Sequence, residues 1–177
     1  DKSVWAARRE EFGGYNENTE WNALAFQADW QHSRLHKFIP AAQELEYCRR
    51  YITLYYGQLH DAFRFFSALG STTPFYMSWD SFAHFVQRIR LIDGSACTEK
   101  GVDEIFVAVN MGDDSIDLNA DIEHMLSRSE FLEAVVRLAV LRFKRSGAAL
   151  SAAEALQMFL TEHMLPNVQN ISPVEWR

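Results

Sequence analysis

The chain has 177 residues, 48% of them hydrophobic and 23% charged, with a net charge of −7 and a pI near 5.3. This suits one large or two small packed domains. The acidic balance, with scattered Lys and Arg, argues against a nucleic-acid partner, which needs clustered cations. No membrane partner is expected either: no apolar run reaches the roughly 18–20 residues of a span, and the longest candidate, 131–143, is broken by Glu133, Arg137 and Arg142.

Residues 1–19 contain Gly13-Gly14 and an Asn/Glu-rich patch and read as an irregular lead-in, with a short helix over 4–12. In 20–38, Trp21, Leu24, Ala25, Ala28, Leu35 and Phe38 recur at spacings near 3 and 4, which predicts an amphipathic helix. Pro40 ends it and suits the first turn of the next. Leu45, Cys48, Ile52, Tyr55, Tyr56, Leu59, Phe63 and Phe66 predict a long helix over 41–69, with Gly57 as a kink point. Gly70 to Pro74 stops it. Ser78 is the N-cap of a helix through Leu91, Asp93-Gly94-Ser95 a turn, and Thr98 the start of a helix to Val109.

Residues 111–123 form a loop with several acids and no Lys or Arg. Ser127 with Glu130, and Ser151 with Glu154, are capping boxes: the Ser oxygen and the Glu carboxylate satisfy free N–H groups of the first turn. Gly147 fits a helix C-terminus. The final helix is expected over 151–164, and the tail from Pro166 as irregular. No period-two alternation predicts a strand, beyond a short pairing around Met77 and Leu126. The class is all-α.

Two of these helix–loop–helix units share one apolar skeleton. Phe66 and Leu69 precede the first loop, Met77 lies late in it, and Phe82, Phe85, Val86 and Ile89 follow. Phe106 and Val109 precede the second, Leu126 lies late in it, and Phe131, Ala134, Val135 and Leu138 follow. This is the skeleton of paired EF-hands, in which the aliphatic residue at loop position 8 pairs with its twin. Calcium there needs oxygens at positions 1, 3, 5, 7, 9 and 12, Gly at 6 and a bidentate Glu at 12. With Met77 at position 8, Gly70, Thr72, Pro74, Ser78 and Ser81 fall at 1, 3, 5, 9 and 12, and Phe75 at 6. No carboxylate stands at a ligand position, so the first loop is expected not to bind calcium.

With Leu126 at position 8, Glu130 falls at position 12. Asn110 to Glu130 is 21 residues, nine more than the standard loop. Glu130 reads as the capping carboxylate and the acidic stretch as solvated loop. The competing reading is a remodelled calcium or magnesium site drawing on Asn110, Asp113, Asp114, Asp117 and Glu130. A loop starting at Asp113 would lack the required Gly and end on His124.

The domain is thus expected over 20–166, with hand one at 50–92, hand two at 98–146, flanking N- and C-terminal helices, and a tail at 167–177. Trp79-Asp-Ser-Phe82-Ala-His-Phe85, Ile105-Phe106-Val-Ala-Val-Asn110 and Ser127-Arg-Ser-Glu-Phe131-Leu-Glu-Ala-Val-Val-Arg137-Leu-Ala139 carry a resemblance. They resemble the degenerate, calmodulin-like helical domains of flagellar, ciliary or cytoskeletal proteins. Phe26 to Ser33 and Ala153 to Leu160 fit the same likeness, which spans roughly 24–166. It implies a non-enzymatic module that docks a partner in the cytoskeleton, cilium or flagellum.

Other constellations are weaker. His32 and His36, one turn apart, could share a zinc ion, but no third ligand is evident. Cys48 and Cys97 form no metal motif and no disulfide framework, so a reduced intracellular protein is expected. Neither belongs to a Cys-His nucleophile motif. No targeting segment is legible. The chain opens on Asp1 and is expected to be a piece of something larger. No catalytic constellation and no phosphate-cradling Gly-rich loop is present. The first expectation is a scaffold module that docks a helix or peptide of a cytoskeletal protein without cofactor or calcium. Its groove would be lined by Phe66, Met77, Phe82, Phe85, Phe106, Leu126 and Phe131. The alternative is a calcium-responsive regulator using the acidic loop 110–130.

Overall fold

In a computed structural model, residues 17–70, 75–110 and 125–168 are described. They form helices α1 (Glu17–His32), α2 (Leu35–Phe38), α3 (Ala42–Gly70), α4 (Trp79–Arg88), α5 (Glu99–Asn110), α6 (Arg128–Ala139), α7 (Ala152–Met158) and α8 (Leu165–Val168). The all-α expectation holds for them. A π-helical turn, Val140–Lys144, extends α6, and another, Phe159–Met164, joins α7 to α8. The predicted helix at 4–12 lies outside the described residues.

The long helix α3 is the spine, and α4, α6 and α7 all pack on it. Its buried face is Cys48, Ile52, Tyr56, Leu59, Phe63 and Phe66, as the spacing predicts. Gly57 does not break it; the helix is continuous there, with Asn22 of α1 alongside. Aromatic rings join it to its neighbours. Phe66 meets Phe85 edge-on at 5.6 Å, and Phe131 meets Phe63 at 5.5 Å and Phe85 at 5.1 Å. Full burial of each such ring contributes roughly 1.5–3 kcal/mol.

Met77 and Leu126 form an isolated antiparallel bridge, the only extended pairing among the described residues. Each N–H donates to the other's carbonyl at 2.8 Å. Both side chains are fully buried. The bridge therefore ties the loop before α4 to the loop before α6.

Helix starts follow the predicted caps. Ser78 Oγ accepts from Ser81 N at 3.2 Å, and Thr98 Oγ1 from Gly101 N at 3.2 Å. Ser127 and Glu130 complete the capping box reciprocally. The second box is only half formed. Ser151 Oγ accepts from Glu154 N, but the Glu154 carboxylate reaches past it to Leu150 N. Glu44 of α3 caps this end of α7 instead, accepting from Ala152 N. Gly147 takes φ +80° at the end of the α6 extension, a conformation open to glycine.

Four boundaries differ from the sequence reading. The predicted helix over 20–38 breaks at Ser33-Arg34, where the Ser33 hydroxyl donates back to Trp30 O at 2.9 Å. The first helix also starts at Glu17, inside the expected lead-in. Helix α4 stops at Arg88 rather than Leu91, with Arg90 left-handed at φ 53°. The last helix runs through Pro166 to Val168. The π turn explains that tolerance: Leu165 N–H already donates to Leu160 O, five residues back, so the usual ladder is displaced where Pro166 lacks a donor.

Helix α1 is less amphipathic than predicted: Trp21 and Leu24 are exposed. Polar pins hold it and the segment after it. Asp29, nearly buried, accepts from Tyr56 of α3 and Arg128 of α6. Just beyond the helix, Arg34 pairs with Glu133 of α6 at 3.5 Å and donates to Val109 O, in the last turn of α5. Arg137 donates twice to the same Glu133 carboxylate, at 2.9 and 3.1 Å.

Candidate docking site

The expected groove residues are not exposed. Phe66, Met77, Phe82, Phe85, Phe106, Leu126 and Phe131 are each 6% exposed or less and fill the core. Their burial has a physical cause. The Met77–Leu126 bridge draws the two units together, and the rings between them pack edge to face rather than open to solvent.

A shallow cleft of about 280 Å³ instead lies between α4 and α5. Trp79 forms one wall, one-third exposed, with its ring edge-on to Phe106 at 5.2 Å and tilted against Phe82 at 6.3 Å. Two of the expected groove residues thus support the wall from beneath. Val86, Ile92 and Val102 give the cleft its apolar lining. Glu99 and Asp103, one turn apart on α5, line its acidic side. Among the described residues neither carboxylate forms an ion pair, whereas nearby Glu104 is paired with Lys100.

The turn after α4 sets the position of Ile92 at the cleft. Asp93 Oδ1 accepts from Ser95 N at 3.0 Å and Cys97 N at 2.9 Å, closing the turn, while Oδ2 pairs with Arg142 at 3.0 Å. The two backbone donors, then Arg142, hold the Asp93 carboxyl below its ordinary range. Gly101 lets α5 approach the end of α6; a Cβ there would stand 3.0 Å from Leu141 Cδ2. Sequence reasoning missed the cleft. Trp79 opens α4 and Glu99 and Asp103 share a face of α5, but nothing in the linear pattern brings those faces together.

The alternative cation ligands fare differently. Asp113, Asp114 and Asp117 lie outside the described residues. Asn110 ends α5. Glu130 Oε2 accepts from the Ser127 N–H at 2.7 Å and the Ser127 hydroxyl at 2.8 Å, so that oxygen serves the cap. Among the described residues no group of three or more His, Cys, Asp or Glu could hold a metal ion. The helix break at Ser33-Arg34 separates His32 from His36, and His32 Nδ1 lies 2.7 Å from Ala28 O. Cys48 and Cys97 are fully buried. Burial, then Glu44, pushes the Cys48 thiol up to about 12; burial, then Asp93, pushes Cys97 up to about 11. Neither is an activated nucleophile.

No described helix is long and apolar enough to cross a membrane. Comparisons of the chain with protein-family models, curated proteins and solved structures find no match.

Proposed function

We propose that this chain is a non-enzymatic docking module built from two paired EF-hand-like units, α3–α4 and α5–α6, working without bound calcium. The bridge supports the pairing, because Met77 and Leu126 occupy equivalent places late in the two loops and exchange both backbone hydrogen bonds. The α4–α5 cleft carries the docking reading. Its apolar floor beside a Trp wall accepts an apolar side chain, and Glu99 and Asp103, without an ion-pair partner among the described residues, favour a basic neighbour. The occupant is a partner helix or peptide presenting an apolar residue beside Lys or Arg. The resemblance to flagellar and cytoskeletal domains makes a protein of that setting the natural partner.

The test is a titration of a basic amphipathic helical peptide into isotope-labelled protein, followed at the Trp79 indole N–H. Saturable shifts should appear at Trp79 and along α5, with and without calcium, and an acidic peptide of equal hydropathy should be silent. Reversing the exposed pair, Glu99→Lys with Asp103→Lys, should weaken binding by about tenfold or more at low salt. A response that ignores this reversal, or that requires calcium, overturns the reading.

A further inference from the structure

A second cleft, of about 630 Å³, opens where α1, α3 and the start of α6 meet the bridge. Its chemistry is opposite to that of the first. In a chain of net charge −7, two guanidiniums, Arg64 and Arg128, border it against one carboxylate, Asp29. Asp29 is 6% exposed, and its Oδ2 accepts from both the Tyr56 hydroxyl and Arg128 Nε. It holds Arg128 in place without exhausting the guanidinium's donors.

Arg128 Nη1 also stands 3.3 Å from His60 Nε2. A guanidinium only donates, so His60 Nε2 accepts there and the imidazole is neutral, with its proton on Nδ1. Burial, then Arg128 and Arg64, holds the His60 pKa below its ordinary value. The Ser127 and Ser129 hydroxyls stand 3.1 Å apart at the first turn of α6. Glu130 already caps that turn, so the guanidiniums carry the attraction for an anion. Phe63 and Phe75 add apolar surface, and Phe75 is 76% exposed.

We propose that this cleft binds a phosphate monoester, its dianion held by Arg64 and Arg128 and its apolar body resting on Phe75. Guanidiniums from two helices, with the Ser129 hydroxyl on the same lining while that of Ser127 is committed to Glu130, suit a tetrahedral group with several acceptor oxygens better than a planar carboxylate. The Arg128 contact is pre-organised, because Tyr56 and Asp29 already fix that side chain. The groups around His60 are Tyr56, Asp61 and Arg64 from α3, Asp29 from α1 and Arg128 from α6. A bound dianion adds negative charge to this set and raises the His60 pKa toward its ordinary value.

Phenyl phosphate is the probe, titrated into labelled protein and read at the Arg128 Nε–Hε, the His60 ring and the Ser129 amide, with inorganic phosphate and phenol in parallel. The expected result is saturable shifts, about tenfold tighter binding for phenyl phosphate than for inorganic phosphate, and silence with phenol. Arg64→Gln, at an exposed position, should weaken binding about tenfold while leaving the circular dichroism unchanged. No saturation by about 10 mM phenyl phosphate, equal binding of inorganic phosphate, or unaltered binding by Arg64→Gln overturns the proposal.

Discussion

Arg34 and Glu133 stand 99 residues apart in the chain and meet twice: the Arg34 backbone N–H donates to Glu133 Oε2 at 3.3 Å, and its guanidinium pairs with the same oxygen. Glu133 is 1% exposed on α6, so its charge depends on Arg34 and Arg137. Arg34 extends the link by donating to Val109 O of α5. One side chain at a helix break thus joins the N-terminal segment to both helices of the second unit.

Arg34→Ala removes half of that compensation and leaves a buried carboxylate with Arg137 alone. It should cost about 3 kcal/mol, read as a lower urea midpoint with unchanged slope. Arg34→Lys should recover only part of the loss, because one ammonium cannot reach Glu133 and Val109 O with the guanidinium's fork geometry.

Leu126→Ala tests the bridge from the side-chain end. Leu126 is fully buried, so truncation leaves a cavity and should cost about 2–5 kcal/mol. Leu126→Pro also deletes the N–H that donates to Met77 O and should destabilise further. Thermal denaturation with a probe in each unit, Trp79 and a reporter on α6, should show both units losing stability together. Loss confined to one would mean that the bridge does not couple them.

His60 makes stability depend on pH. Its folded pKa is depressed, so the unfolded chain takes up the proton first. The stability tied to its neutral form is fully present above the ordinary pKa of 6.5 and is lost as pH falls below it, levelling off once the folded form also titrates. Urea midpoints across this range should fall toward acid. His60→Gln keeps an acceptor for Arg128 without the titration and should flatten that segment of the curve.

Both thiols should be silent in the native state. Cys48 and Cys97 are buried with raised pKa values, so an aromatic disulfide reagent should label neither until the chain opens. Labelling should then follow the opening equilibrium and accelerate in Arg34→Ala. Fast labelling of the native protein would contradict the packing around α3.

The all-α class, the spine α3, four serine or threonine caps and the Met77–Leu126 pairing were legible in the amino-acid sequence. They rest on local or periodic chemistry: an apolar stripe every three to four residues, a hydroxyl one residue before a helix, and one buried aliphatic late in each loop. What tertiary structure alone decided is where surfaces open. Phe82 and Phe106 have the character of groove residues, yet they lie beneath Trp79, because ring packing across the bridge closes the core. Glu44 caps a helix 108 residues away, and Arg128 meets Asp29 and His60 from three separate helices. Such charges and hydroxyls acquire partners only when the chain brings distant segments together. Linear spacing carries a residue's helix face; which other face it meets is settled by burial of the whole core.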